Sequence, residues 1–454
     1  MLPPDLNAVG PRTPHWTSTL SGNPKRNPTL QRLALLVATA LSVFTLGCSL
    51  TEKLSLKPAS PKSPTGAGLD SKSLVDLGAL SQSSNKAGLD LAAMMDEAEE
   101  LRAKKIACAK GPKRSMLVLS GGGSYGAFQS GVLRGWGETG GRPEFDVITG
   151  VSTGALVAAI TFPGPDMDSI GEMIFTSVSN RDIFKKKNIV VGLTQGYVAD
   201  TKPLREMIDA MVTDEYLDRV AGQHTLGRRL YVGTTNLETR RQVIWDMGNI
   251  ALKHRTDGSS KKLFRDILQA SAAIPGMFPP VSIPIEVGGK VYEEKHVDGG
   301  VTAGVFLRPF ALNPGGALES LAGSDIYILV AGKLYADPGP VGKDLMSLGS
   351  STVAALLSGQ VRDELAEIYA VSAFQGIHFH LGAVPENYPI TMKSSEFDKK
   401  QMRELFQEGR RLGQTGMLWR KTPPGASPGE QPEVRGGNHL YQMPDKSRVP
   451  EWVK

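Results

Sequence analysis

Residues 145–160 read FDVITGVSTGALVAAI. The opening four, Phe145 to Ile148, predict a strand. The closing six, Ala155 to Ile160, are small and apolar and predict a helix packed in the core. Between them stands Gly150-Val151-Ser152-Thr153-Gly154, a G-x-S-x-G turn. A serine nucleophile has to project from a sharp, strained strand-to-helix turn with no bulk beside it. The glycines two before and two after Ser152 leave that room. The pentapeptide alone is weak in a chain with 51 glycines. Its place between a strand and a helix is what gives it meaning.

A second glycine turn lies upstream, in LSGGGSYG at 119–126. The apolar run Ser115 to Ser120 before it predicts another buried strand. After it, Phe128, Val132 and Trp136 recur at helical spacing. Glycines before a helix N-terminus let an anion approach unpaired N–H groups. A phosphate, a dinucleotide or a transient oxyanion would suit the turn, and a Gly-rich turn with no ligand is the plain alternative. A phosphate-binding P-loop needs Lys and Ser or Thr where Ala127 and Phe128 stand. Gly121, Gly123 and Gly126 do satisfy G-x-G-x-x-G. The acidic residue expected about 20 positions on, at a strand end, is missing: Glu138 and Glu144 flank a turn-like stretch.

A serine hydroxyl needs a group to take its proton. One candidate is Asp298 in EKHVDGGV (294–301), followed by Gly299 and Gly300. Before it, QASAAIPGMFPPV (269–281) reads as a helix end breaking into a Pro-rich loop. The blocks GGGSYG, GVSTG, ASAAIPGMFPP and VDGG, in this order, resemble the patatin-like phospholipase family. TTNLETRR from Thr234 is similar to a further strand-and-turn block. The resemblance covers roughly residues 113 to 420. It implies a patatin-like three-layer α/β/α sandwich with a central, mostly parallel sheet. It also implies a Ser-Asp dyad without histidine, acting on lipid acyl esters and using no cofactor. Ser152 would be the nucleophile and Asp298 the base, with Gly121, Gly122 and Gly123 around an oxyanion hole. One departure is Tyr125, where the family usually carries Arg or Lys; it leaves head-group preference open.

Seven histidines keep a Ser-Asp-His order in view. His378 and His380 share one face of an expected strand in QGIHFHLG and follow Asp298. The expectation is that they are ordinary strand residues. His296 lies two before Asp298 and could tune the site. No Cys or His cluster has metal-ligand spacing.

The chain of 454 residues holds 40% hydrophobic and 21% charged residues, an ordinary balance for an enzyme with appendages. A net charge of +5, spread out and not interleaved with aromatics, gives nucleic-acid binding little support. Weak attraction to anionic membrane is compatible with it. The stretch LALLVATALSVFTLGCSL (33–50) carries no charge and follows Arg12, Lys25, Arg26 and Arg32, as in a secretory signal. It ends in Leu46-Gly47-Cys48, which resembles a bacterial lipobox in which the cysteine is acylated; Thr45 is a departure from it. An uncleaved anchor helix is the rival reading. Either way the domain is expected outside the cytoplasm on a membrane tether. The expected organisation is a signal segment at 1–48, a disordered Ser/Pro/Lys linker at 49–87, an amphipathic helix at 88–110, the catalytic domain at 111–420 and a disordered Pro/Gly-rich tail at 421–454. Two other classes stay open: a non-catalytic lipid-binding scaffold of the same fold, and an acyltransferase or thioesterase using the same dyad.

Overall fold

A computed structural model describes residues 91–109, 111, 113–186, 196–308, 321–337, 339–426 and 430. The expected signal segment with Cys48, the linker, and all of the expected tail except 421–426 and 430 lie outside them.

Strands and helices alternate along the first half of the domain. Helix α1 (Leu91–Ala107) is followed by β1 (Ser115–Leu119), α2 (Gly126–Glu138), β2 (Val147–Val151), α3 (Thr153–Thr161), α4 (Asp168–Ser177) and the single turn α5 (Asn180–Ile183). A two-stranded ribbon of β3 (Lys185–Lys186) and β4 (Ala199–Asp200) stands apart from the main sheet. Helices α6 (Lys202–Met211) and α7 (Asp214–Thr225) lead into β5 (Arg229–Asn236), β6 (Arg241–Asp246), α8 (Met247–Leu252) and α9 (Ser260–Ser271). Then come β7 (Val281–Val287), β8 (Lys290–Asp298), β9 (Asp325–Leu329), α10 (Leu345–Gln375), β10 (His378–Gly382) and α11 (Lys399–Thr415).

The main sheet has eight strands in the order β10-β9-β1-β2-β5-β8-β7, with β6 also on β5. From β10 to β5 every neighbour is parallel, while β6, β8 and β7 join antiparallel. The sheet is therefore mostly parallel, and both its faces are covered. Alternation along β1 shows why: Leu117 and Leu119 enter one core, Met116 and Val118 the other. The first core packs under α2, α3, α4, α6, α7, α9 and α11. The second packs under α10, through Leu365, Ile368 and Tyr369. That is a three-layer α/β/α sandwich.

Two contacts fix the layers near the site. Helices α2 and α11 approach closely because Gly131 and Gly135 face the α11 backbone, while Gly409 and Gly413 face that of α2. A Cβ at any of these four would run into a main-chain carbonyl of the other helix. Helix α1 lies on α10, where Arg102 stacks 5.2 Å over the Tyr369 ring and pairs with Glu99. On α1, Ala98 and Leu101 are half-buried and Arg102 is buried. Arg420 bridges Leu381 of β10 and grips Glu430 with Nη1 and Nη2, at 2.6 and 3.0 Å.

Candidate active site

The serine stands where its sequence predicts, at the carboxyl end of β2. Ser152 has φ 56° and ψ −127°, and among the described residues only Arg240 is another non-glycine with positive φ. Such backbone costs about 1–3 kcal/mol and persists only when its surroundings hold it. Here a second serine does so. The Ser152 N–H donates to Ser271 Oγ at 3.0 Å, and the Ser271 hydroxyl donates to the Gly233 carbonyl at 2.7 Å. Gly154 keeps the turn tight: a Cβ there would lie 2.5 Å from the Ser120 carbonyl. Helix α3 starts at the next residue, so its positive end lies beneath the hydroxyl.

The carboxylate comes from β8, which meets β5 on the same edge as β2, just past the carboxyl end of β2. Val151 pairs with Gly233 of β5 and Asp298 with the next residue, Thr234, on the same edge, while β6 takes the opposite edge of both. The ends of β2 and β8 thus meet head to head along β5, and Ser152 Oγ donates to Asp298 Oδ2 at 2.6 Å. The second carboxylate oxygen, Oδ1, accepts the Gly300 N–H at 2.8 Å. The Asp298 backbone is fastened by its N–H to Ala273 O at 2.9 Å and by Thr235 Oγ1, which donates to its carbonyl at 3.0 Å. Burial pushes the Asp298 carboxyl up to about 6, against the opposing pull of the Ser152 hydroxyl and the Gly300 N–H.

The glycine loop runs beside the serine. A methyl on Gly121 would be 3.0 Å from Ser152 Cβ and 3.8 Å from its Oγ. Buried Ser120 and Gln129 pin the base of the loop. Ser120 Oγ donates to Gly121 O at 2.9 Å and accepts the Ala331 N–H at 2.8 Å. The Gln129 amide donates to Ser120 O at 3.1 Å and to Leu329 O at 2.7 Å. The segment before α11 closes over the loop: Ser124 N–H donates to Ser394 O at 2.9 Å, and Tyr125 Oη donates to Met392 O at 2.7 Å. Gly123 has φ 56° and abuts the Ser394 carbonyl, so only glycine fits. Of the three glycines, Gly121 turns its N–H to Gly304 O at 3.2 Å. The N–H groups of Gly122 and Gly123 meet no acceptor among the described residues.

The histidines lie elsewhere. His378 pairs with Asp325, which pairs with Ser115, so it sits at the amino edge of the sheet, opposite the edge that carries Ser152. His380 donates or accepts at Asp325 Oδ1, 2.8 Å away, and stacks on Tyr327. His296 is fully buried and engages Thr234 Oγ1 at 2.9 Å and Glu294 at 3.1 Å, neither of them part of the Ser152–Asp298 contact. Among the described residues no cluster of His, Cys, Asp or Glu is placed to hold a metal ion. Ser271, Ser120 and Gln129 carry no motif that would have singled them out; the "AS" of ASAAIPGMFPP was the only trace of the first.

A serine on a strained turn at the carboxyl edge of a mostly parallel sheet, inside an α/β/α sandwich, is the architecture of the α/β acyl hydrolases. Residues 117–311 match the family model of the patatin-like phospholipases. Among solved structures it is similar to the crystal structure of VipD from Legionella pneumophila, at 13% identity over 67% of each chain with a TM-score of 0.35, too slight a likeness to bear on chemistry. No curated protein sequence matches the chain.

Proposed function

We propose that this protein is a serine lipid acyl hydrolase, phospholipase A-like, working through a Ser152–Asp298 dyad. The observation that carries the reading is the 2.6 Å hydrogen bond from Ser152 Oγ to a buried Asp298 carboxylate. With a pKa raised to about 6, Asp298 is a stronger base than an ordinary aspartate and still ionised at neutral pH. It takes the hydroxyl proton as Ser152 Oγ attacks the ester carbonyl. The negative oxygen that forms is held by the Gly122 and Gly123 N–H groups and by the positive end of α3. Asp298 then passes the proton to the departing alkoxide, leaving an acyl-serine. Water attacks that ester, gives its proton to Asp298, and Ser152 recovers it as the fatty acid leaves.

The test is labelling with a fluorophosphonate probe, followed by hydrolysis of a defined phospholipid. Wild type should label and hydrolyse, and Ser152→Ala should do neither. A folded wild-type protein that resists the probe would instead support a lipid-binding scaffold. Transfer of the acyl group to an added alcohol or thiol in preference to water would make it an acyltransferase. The proposal includes a membrane tether at Cys48, suggested by the uncharged stretch that precedes it. Incorporation of labelled palmitate that survives Cys48→Ala would refute that part.

A further inference from the structure

Helix α10 is far longer than the domain needs. Its last residues, from Leu365 to Gln375, pack on the second core and lead into β10 at the amino edge of the sheet. Val361 and Glu364 reach Gly304 and Val305, and Gly304 accepts the N–H of Gly121. At Val361 the helix has therefore already risen to the level of the glycine loop. It continues back to Leu345, roughly 24 Å more at 1.5 Å per residue.

This projecting part has an unusual surface. Residues 345–361 contain no Asp, Glu, Lys or Arg. From 348 to 357 every residue is exposed, so all sides of the helix face outward, with Leu348, Val353, Leu356 and Leu357 among them. A helix that docks in a protein groove needs one apolar stripe and a charged back. One that is uncharged all round suits an environment that is apolar on every side. Among the described residues no helix is long and apolar enough to cross a membrane, so insertion would stop in the interface.

A second element points the same way. The β7–β8 hairpin pairs with β5 only through His296, Val297 and Asp298 and runs on past the carboxyl edge to its tip at Gly288-Gly289. Val287, Val291 and Tyr292 near that tip are more than half exposed. Helix and hairpin thus both extend beyond the sheet edge that carries Ser152, and both end in exposed apolar side chains.

We infer that the projecting half of α10, with the β7–β8 tip, is a lipid-surface docking element that inserts into a bilayer and holds the Ser152 edge against it. The choice of a bilayer over a protein partner rests on the lipid acyl hydrolase reading, and on the lack of charge around the whole helix. Full-length Ser152→Ala protein is mixed with phosphatidylcholine vesicles and floated, so binding is read without turnover. Leu356→Glu/Leu357→Glu, both on the exposed part, should weaken binding by about tenfold or more. On the Ser152 background the same pair should slow hydrolysis of vesicle lipid by a similar factor and leave hydrolysis of a soluble short-chain ester unchanged. Val353→Lys provides a second variant if the first fails to fold. Equal flotation and equal vesicle hydrolysis in the variants would overturn the inference even if the enzyme is active. So would a dimer in gel filtration that the same substitutions dissolve while vesicle binding stays absent. Loss of flotation in the variants of a protein that hydrolyses no ester would uphold docking and reject the hydrolase.

Discussion

Asp298→Asn is expected to destroy turnover and at the same time make the protein more stable. The carboxyl is displaced from its ordinary 3.8 to about 6, chiefly by burial. Keeping it ionised in the folded protein at neutral pH therefore costs about 3 kcal/mol, at 1.36 kcal/mol per pH unit. Asparagine has the same shape. Its carbonyl can accept the Gly300 N–H, and its amide can donate to Ser152 Oγ, so both hydrogen bonds survive without a buried charge. The melting temperature should rise by about 4 °C in a chain of this size. The pH dependence gives the sign. The folded state binds the proton more tightly than the unfolded one, so the penalty is full above about pH 6 and is relieved as pH falls toward 4. Melts of wild type and variant at about pH 8 and about pH 4 measure this, and the gap should close at the acid value. Turnover should drop by roughly 100-fold or more with the base gone. A variant no more stable than wild type at the alkaline value, or an advantage that widens in acid, would refute the account of Asp298 as a desolvated base.

Three further outcomes follow from the same geometry. In wild type, kcat/KM on a soluble ester should fall about tenfold per pH unit below about 6, as Asp298 takes up its proton, whereas an activity flat to about pH 4.5 would contradict the assignment. Ser271→Ala strands the buried Ser152 N–H and removes the donor to the Gly233 carbonyl; denaturation should show a loss of about 1–3 kcal/mol, and probe labelling should slow. His378→Ala and His380→Ala should leave turnover within about twofold, since both lie at the far edge of the sheet; a loss of a hundredfold in either would restore a histidine to the mechanism.

Much of this arrangement could be read from the chain, and the limits are instructive. The elbow was legible because its constraint is local: the glycines, the serine and the flanking apolar runs all lie within residues 145–160. Strand β2 begins two residues later than the strand expected from Phe145, because Phe145 folds into the core ahead of the ladder. Asp298 was legible through the glycines after it, together with the family resemblance. Ser271 was not, since its role is a contact across 119 positions with a backbone amide, which leaves no pattern. Nor could the glycine run reveal that Gly121 gives its N–H to Gly304, a partner brought by a distant loop. The reach of α10 was hidden for a different reason. Only its charged second half, VRDELAEIY, carries a clear helical period; the first half, with its serines and glycines, does not.

Strand β5 works as a common ruler for the two reacting groups. Both are registered on one of its edges, Ser152 through Val151 at Gly233 and Asp298 at the adjoining Thr234, by ladders of main-chain hydrogen bonds. Whatever the polypeptide does between those anchor points leaves the calibration untouched. Surface loops and outlying hairpins could thus lengthen, shrink or change chemistry over generations, retuning which molecules are admitted, with no need to re-solve the alignment of oxygen against oxygen.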